Sequence, residues 1–371
     1  MTAESLGDVY GALRNHRRIV LLTDGYSTPF LAKTAINLIR YRASDIAAVI
    51  DREAAGSNAK ELFQMACGEG VSVVASLAEV PDADALYVGI APPGGRLPAP
   101  WRSTILDALR RPIDVVSGLH DFLHDDAEYR EASKLGGKLI DVRRNQLKMT
   151  ATGAPFRQGC VRIHTVGHDC SVGKMVVTVE LEAALKARGA DACFLATGQT
   201  GIMISCAGVP IDCVVSDFVN GAAETLVREN EDHDFVLVEG QGSITHPAYS
   251  AVTLGLLHGC APDGMIFCYE AGREFVKGFD NLRIPPLEEQ IAALETMASL
   301  RHPSKMLGVA INTRTLSDSD AQAEIAKAED RFGLPACDVY RTGADKLVDA
   351  CLRLRDGLFC KVSSSATARQ S

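Results

Sequence analysis

The segment from Val161 to Met175 has the residue types and spacing that bind a phosphate group. It contains Gly167, Gly173 and Lys174, the glycine and lysine frame of a P-loop. Glycines let the backbone curl so that successive N–H groups point inward, and a helix N-terminus and a lysine add positive charge. The segment therefore predicts an anion site formed by Gly167, Asp169, Cys170, Ser171, Val172, Gly173, Lys174 and Met175.

The residue after the lysine separates two classes of phosphate chemistry. A nucleotide hydrolase needs Ser or Thr there to ligate Mg²⁺, whereas this chain has Met175, whose thioether is a poor ligand for a hard cation. A loop of this kind suits holding a cofactor better than cleaving one, and coenzyme A, with its pyrophosphate and 3′-phosphate, is such a ligand. We expect no metal here, although Ser171 or Asp169 could replace the missing hydroxyl.

Further candidates follow the apolar strand predicted at 235–239. Glu239 ends this strand, and Gly240, Gln241, Gly242 and Ser243 come next. The acid has the position of a Walker B carboxylate, beside the phosphate loop. Without Mg²⁺ to hold, Glu239 is either a general base or a cap of the following turn.

Polar and basic residues follow two other predicted strands. The carboxyl ends of strands in open α/β sheets form ligand sites, so residues after 192–195 and 265–269 are candidates for substrate binding. Arginine and lysine there would pair with the carboxylates of an acidic substrate. Ordinary polar or solvated basic turns are the other interpretation, and a catalytic thiol at Cys170 is a further possibility. The candidate substrate residues are Thr197, Gln199, Thr200, Gln241, Arg273 and Lys277.

Short apolar strands alternate with helical stretches along the whole chain, the pattern of an α/β protein. We expect a Rossmann-like N-terminal domain over 1–150 and a P-loop NTPase-like, doubly wound C-terminal domain over 151–371, with a disordered tail at 361–371. The first domain lacks a dinucleotide fingerprint, because Ser27 and Phe30 stand where G-x-G-x-x-G from Gly25 needs glycine. Asp51, after the second strand, is either a ribose-binding acid or a simple strand end.

Composition excludes several classes of protein. With 38 basic and 47 acidic residues the net charge is −9, which argues against nucleic acid as a partner. No apolar stretch is long enough for a membrane span, and Met1–Arg18 has no secretory leader. The 11 cysteines include no C-x-x-C pair, which favours reduced thiols in a cytoplasmic protein. A homodimer is expected as the commonest assembly.

Several segments together resemble one known family. Gly167–Met175, Ala196–Met203, Val209–Asp212 and the pair Asp217-Phe218 are similar to the DgcN-type D-glutamate N-acetyltransferases, and the similarity extends over nearly the whole chain. This resemblance implies acetyl transfer from acetyl-CoA to the amine of D-glutamate, with the loop at Gly167–Met175 holding acetyl-CoA. The second half also resembles dethiobiotin-synthetase-like ATPases, which carry a hydroxyl residue in place of Met175.

Three functions therefore compete. In an N-acetyltransferase, the protonated amine of the acceptor needs a base, for which Glu239 and His246 are candidates, while Ser243 or backbone N–H groups would stabilise the oxyanion. An ATP- and Mg²⁺-dependent ligase or kinase of the dethiobiotin-synthetase type is the second. The third is a non-catalytic sensor of nucleotide or coenzyme A.

Overall fold

The computed structural model describes residues 6–367, which form two compact units. The first contains the described residues up to Asn145 together with Gln199–Cys213, and the second contains Gln146–Gly198 and the described residues from Val214 onward. In chain order the first elements are α1 (Leu6–Asn15), β1 (Ile19–Leu22), α2 (Lys33–Tyr41), β2 (Ile46–Ile50), α3 (Ala59–Phe63), β3 (Ser72–Val74), β4 (Ala85–Val88), α4 (Arg102–Arg110), β5 (Asp114–Ser117), α5 (Ala127–Ser133) and β6 (Leu139–Asp141). They are followed by β7 (Val161–Gly167), α6 (Lys174–Ala187), β8 (Ala192–Leu195), α7 (Gln199–Ser205), α8 (Val219–Arg228), β9 (Phe235–Val238), α9 (Ser250–Cys260), β10 (Gly264–Glu270), α10 (Leu287–Ser299), β11 (Lys305–Asn312), α11 (Asp318–Phe332), β12 (Ala336–Cys337) and α12 (Asp345–Thr367).

The first unit has a parallel sheet in the order β3-β2-β1-β4-β5-β6, which is the Rossmann strand order. Its strands read as continuous apolar runs because helices cover both faces of a parallel sheet, and all four residues of β1 are buried. Asp51, at the end of β2, accepts a hydrogen bond from the Ser27 hydroxyl and others from the backbone N–H groups of Glu53 and Ala54. Its carboxylate therefore caps the local turn.

The second unit has a parallel sheet in the order β12-β11-β10-β7-β9-β8. β7 lies in the middle, and its side chains alternate between two cores. Val161 and Ile163 pack in the core that contains Leu181 of α6, while Val166 packs in the core that contains Leu257 of α9. The fold is thus a Rossmann-like domain followed by a doubly wound P-loop domain, as the sequence predicts.

One segment of the later half of the chain belongs to the first unit. Residues 199–213 leave the second unit after Gly198, and their α7 packs against α2. The Thr34 and Thr200 hydroxyls lie 3.0 Å apart, Arg42 donates to the Met203 carbonyl at 2.9 Å, and Arg143 pairs with Asp212 at 2.8 Å. A single boundary near residue 150 does not describe this excursion.

The end of the chain differs from the disordered tail expected over 361–371. α12 continues to Thr367, because the segment after Asp345 carries no proline and its earlier turns are anchored by buried residues such as Leu347 and Cys351. Residues 368–371 lie outside the described part of the chain. Within 6–367, none of the helices has both the length and the apolar character that crossing a bilayer would require.

Candidate active site

The predicted phosphate loop joins β7 to α6. Five residues separate Gly167 from Gly173, whereas the P-loop pattern G-x-x-x-x-G-K has four residues between its glycines. The loop of this chain is therefore one residue longer. Two residues have left-handed backbone: Ser171, with φ of 55°, and Gly173, with φ of 105°. Glycine is favoured at position 173 because a side chain there would strain the backbone immediately before the first turn of α6. The loop therefore curls tightly in front of the helix N-terminus.

Lys174 lies buried inside this loop. Its ammonium donates to the carbonyls of Asp169 at 2.7 Å and Gly242 at 2.8 Å. Burial lowers its pKa from the ordinary lysine value, and the charge of Arg273 acts in the same direction. An ammonium has three N–H donors, so a bound anion would take the third and restore the charge balance.

The carboxylate of Asp169 holds the loop from behind. It is fully buried, and one oxygen accepts from the Cys170 N–H at 2.7 Å. The other accepts from the Arg273 guanidinium at 3.0 Å and from the Lys277 N–H at 2.8 Å. Arg273 also donates to the Cys170 carbonyl at 2.8 Å. Both basic residues predicted to bind substrate therefore contact the phosphate loop.

Glu239 follows β9 and organises the loop after β8. Its Oε2 accepts from the N–H groups of Thr197 at 2.9 Å and Gly198 at 3.1 Å, and its Oε1 accepts from the Gln241 side chain at 3.3 Å. The structure thus brings together Glu239, Thr197 and Gln241. A side chain at Gly240 would come within 1.7 Å of the Thr165 carbonyl, so this turn requires glycine.

Ser243 and His246 face the phosphate loop. The Ser243 hydroxyl donates to the His168 carbonyl at 3.0 Å. His246 Nδ1 accepts from the Ala248 N–H at 3.1 Å, so Nε2 carries the proton and faces the Lys277 carbonyl at 3.3 Å. This arrangement makes His246 a donor in the free protein, and its role as a base stays a prediction.

Two of the residues expected to bind substrate, Gln199 and Thr200, belong to the first unit. Gln199 is buried against Gly118, where an added Cβ would come within 2.7 Å of its side chain, and Thr200 contacts Thr34. Their substrate roles stay predictions.

Sequence reasoning did not select Glu270, the last residue of β10. Its carboxylate accepts from Arg273 and, at 3.0–3.1 Å, from Arg314 after β11. The rule that ligand sites form at the carboxyl ends of strands could have identified it. Its two arginine partners place Glu270 in the network that supports the phosphate loop.

One group of possible metal ligands occurs in the described part of the chain. Atoms of Asp169, Cys170 and His246 lie within 4.8 Å of one another. The Asp169 carboxylate already has the Arg273 guanidinium as its counterion, and Lys174 adds a second positive charge to the same loop. These contacts make the three residues part of the framework of the loop, and the expected absence of a metal stays a prediction.

Comparison with known proteins gives matches over both units. The family model for the C-terminal P-loop domain of DUF1611, a domain of unknown function, matches residues 149–348. The model for the Rossmann-like N-terminal domain of DUF1611 matches residues 52–145. These two matches cover most of the chain and correspond to its two sheets.

Named relatives and a solved structure extend this similarity. A D-glutamate N-acetyltransferase of Tritonibacter scottomollicae is 37% identical over 321 residues, which are 86% of this chain and 93% of that protein. A D-glutamate N-acetyltransferase of Pseudoalteromonas sp. is 38% identical over 268 residues, 72% of this chain and 80% of that one. The crystal structure of a DUF1611 family protein from Anabaena variabilis is 36% identical and covers 91% of this chain and 99% of its own, with a TM-score of 0.85.

Proposed function

This chain belongs to the DUF1611 family and is an N-acetyltransferase, and we propose that it moves the acetyl group of acetyl-CoA to the amine of D-glutamate. The names of the two relatives support the acceptor. Acetyl-CoA as the acetyl donor is supported by the phosphate loop, in which the buried Lys174 is followed by Met175 in place of a metal-binding hydroxyl residue. Such a loop retains a phosphorylated carrier without activating its phosphates.

The cradle for the carrier consists of the loop amides, the N-terminus of α6 and Lys174. Each charge-assisted hydrogen bond to a phosphate contributes about 1.5–3 kcal/mol, so a few of them support micromolar binding. Asp169 and Arg273 keep the loop curled before the ligand arrives, which reduces the entropy lost on binding.

The chemistry takes place on the β9 side of the cradle. Glu239 holds the loop at residues 196–198 on that side, with Thr197 and Gln241 beside it. Ser243 and His246 face the phosphate loop itself, and we therefore assign them to the cradle.

Glu239 acts in this proposal as the general base. Its Oε1 takes a proton from the ammonium of the acceptor, and the neutral amine attacks the thioester carbonyl. The C–N bond forms, the C–S bond breaks, and the attacking nitrogen loses its second proton to the departing coenzyme A thiolate. Glu239 then returns the first proton to solvent. Backbone N–H groups stabilise the oxyanion between these two steps.

The test combines an acetyl-transfer assay with calorimetry. Wild-type protein is expected to release coenzyme A from acetyl-CoA when D-glutamate is present and to form its N-acetyl derivative, detected by mass spectrometry. Lys174→Met is expected to weaken acetyl-CoA binding by about ten- to a hundredfold, since one charge-assisted contact is lost. Lys186→Met, on the exposed face of the same helix, is the matched control.

Two outcomes would contradict the proposal. Unchanged affinity of Lys174→Met for acetyl-CoA would remove the loop from carrier binding. Phosphate release from ATP that requires both Mg²⁺ and an acceptor would favour a ligase or kinase instead.

A further inference from the structure

We propose that Tyr249 and Lys277 bind the 3′-phosphoadenosine end of the acyl carrier, with adenine stacked on Tyr249 and the 3′-phosphate held by Lys277. This inference rests on the proposed use of acetyl-CoA. It assigns a site beside the phosphate loop to the nucleotide end of the carrier.

The platform for the base is an exposed aromatic ring with a rigid support. Tyr249 is 50% exposed to solvent. Its ring stacks on the buried His246 imidazole, with centroids 4.5 Å apart and planes inclined by 29°. His246 is fixed in turn by its contacts with Ala248, Lys277 and the edge of Phe279. A preordered ring of this kind binds a planar base by stacking.

The platform lies close to the phosphate loop. His246 Nε2 is 4.0 Å from the Asp169 carboxylate, whose backbone carbonyl accepts from Lys174. Tyr249 thus stacks on a residue that touches the cradle wall. The exposed ring and the phosphate loop are therefore linked through His246.

The second element is a hairpin of residues 272–284 between β10 and α10, called here the β10–α10 hairpin. Phe275 and Arg283 form an antiparallel bridge in it, and the Val276 N–H donates to the Leu282 carbonyl at 2.9 Å. Val276 is buried, and the Lys277 N–H donates to Asp169 at 2.8 Å. The hairpin is therefore fixed against the loop through its backbone.

The side chain of Lys277 extends along the rim of the loop. Its ammonium donates to the Ser171 hydroxyl at 2.8 Å, an exposed contact at the edge of the phosphate loop. Lys277 thus offers a second positive charge outside the buried Lys174. Coenzyme A carries a second phosphate outside its diphosphate, on the ribose, and the two charges match these two anionic groups.

The consequence is a preference among acyl donors that differ only at the nucleotide end. Acetyl-CoA should react better than acetyl-dephospho-CoA, which lacks the 3′-phosphate. Acetyl-dephospho-CoA should in turn react better than acetyl-pantetheine, which lacks the nucleotide. Lys277 accounts for the first difference and Tyr249 contributes to the second.

The experiment measures kcat/KM for these three donors with the wild type, Lys277→Met and Tyr249→Ala. Lys277→Met is expected to remove a preference of about tenfold or more for acetyl-CoA over acetyl-dephospho-CoA. Tyr249→Ala is expected to lower kcat/KM about tenfold for both nucleotide donors and to leave acetyl-pantetheine unchanged. Lys327→Met and Tyr340→Ala, which replace exposed residues of the same types on other elements, are matched controls.

Binding of adenosine 3′,5′-bisphosphate, measured by calorimetry, separates this inference from the proposed function. If the wild type binds this probe and Lys277→Met and Tyr249→Ala bind it at least tenfold more weakly, the site stands even where no acetyl transfer is found. An unchanged donor preference in Lys277→Met overturns the assignment of the 3′-phosphate. An equal loss for all three donors in Tyr249→Ala overturns the adenine platform, because it marks a general structural role.

Discussion

At the scale of single residues, Met175 and Glu239 distinguish this site from that of a nucleotide hydrolase. The nearest hydroxyl that the next turn of α6 offers is Thr178, and it donates to the Lys174 carbonyl at 2.7 Å and contacts Thr165 at 3.0 Å. Its hydroxyl is therefore engaged within α6 and with β7, and it does not replace the absent metal ligand. Glu239, in turn, has Thr197 and Gly198 as partners, so its carboxylate both shapes a loop and offers a proton acceptor.

Glu239→Gln tests the second of these two properties. The amide keeps one oxygen to accept from Thr197 and Gly198, so we expect the loop and the affinity for acetyl-CoA to be preserved. Loss of the base should lower kcat by about 10²–10⁴-fold. Glu224→Gln is the control, because Glu224 is also buried and also accepts from backbone N–H groups. Its partners are Thr152 and Gly153, and it lies in α8 instead of at the end of β9. Equal turnover in Glu239→Gln and the wild type would remove Glu239 from the mechanism.

At the scale of elements, β7 is a buried strand that contains polar side chains, each with a partner on a neighbouring element. Arg162 pairs with Asp263 at 2.8 Å, Thr165 accepts from the Gly240 N–H at 2.9 Å, and His164 contacts the Val238 carbonyl through Nδ1 at 3.1 Å. Burial lowers the pKa of His164 to about 4 and that of His168, just beyond the strand, to about 3. Both imidazoles are therefore neutral in the folded protein at neutral pH.

Acidification should destabilise the protein through these two histidines. In the unfolded chain they take up protons below their ordinary pKa of 6.5, whereas the folded protein resists protonation down to about pH 4 and 3. The stabilisation is thus fully present above pH 6.5 and is lost as pH falls, by about 1.4 kcal/mol per pH unit for each histidine. His164→Asn, which keeps a donor for the Val238 carbonyl, should reduce this slope by one proton in urea unfolding between pH 4.5 and 6.5 (a window of about two units).

The matched control is His233→Asn, at an exposed position beside Asp191. Comparison with this variant separates the titration of His164 from a general effect of removing an imidazole. The same slope in His164→Asn and the wild type would show that His164 does not titrate differently in the two states.

At the scale of the whole molecule, the second half of the chain contributes a segment to the first unit. Arg42 is buried and donates to the carbonyls of Met203 at 2.9 Å, of Leu13 at 3.2 Å and of His16 at 3.2 Å. It also pairs with Asp45 at 2.9 Å. One guanidinium thus links α1, α2 and the excursion at residues 199–213. The first unit therefore depends on a segment that follows β7 and β8 of the second sheet in the chain.

Arg42→Met should lower the free energy of unfolding by about 3 kcal/mol, because buried carbonyls and a carboxylate lose their donor. Amide hydrogen exchange should increase first in residues 199–213, because this segment is distant in sequence from the rest of the unit and is held there by tertiary contacts. Arg110→Met, at an exposed arginine with a distant partner in Glu128, is the control. A change below about 0.5 kcal/mol in Arg42→Met, the range of ordinary surface substitutions, would contradict this role.

The sequence by itself determined the strands, the phosphate loop and the class of fold. The strand predicted at 192–195 has the same bounds as β8, and the loop between β7 and α6 lies where its glycines and lysine indicated. These features are local, because hydrophobic periodicity and turn residues act within a few positions of one another. Glu239 and Thr197 could likewise be expected at one sheet edge, since both follow strands.

Only the tertiary structure decided which of these residues meet. Lys277 contacts Ser171 across 106 positions, and this contact brings a predicted substrate residue to the phosphate loop. The excursion of residues 199–213 and the ion pair of Glu270 with Arg314 arise in the same way. Such pairings depend on strand order and on helix packing, which sum many weak interactions over the whole chain, and no short stretch of sequence encodes them.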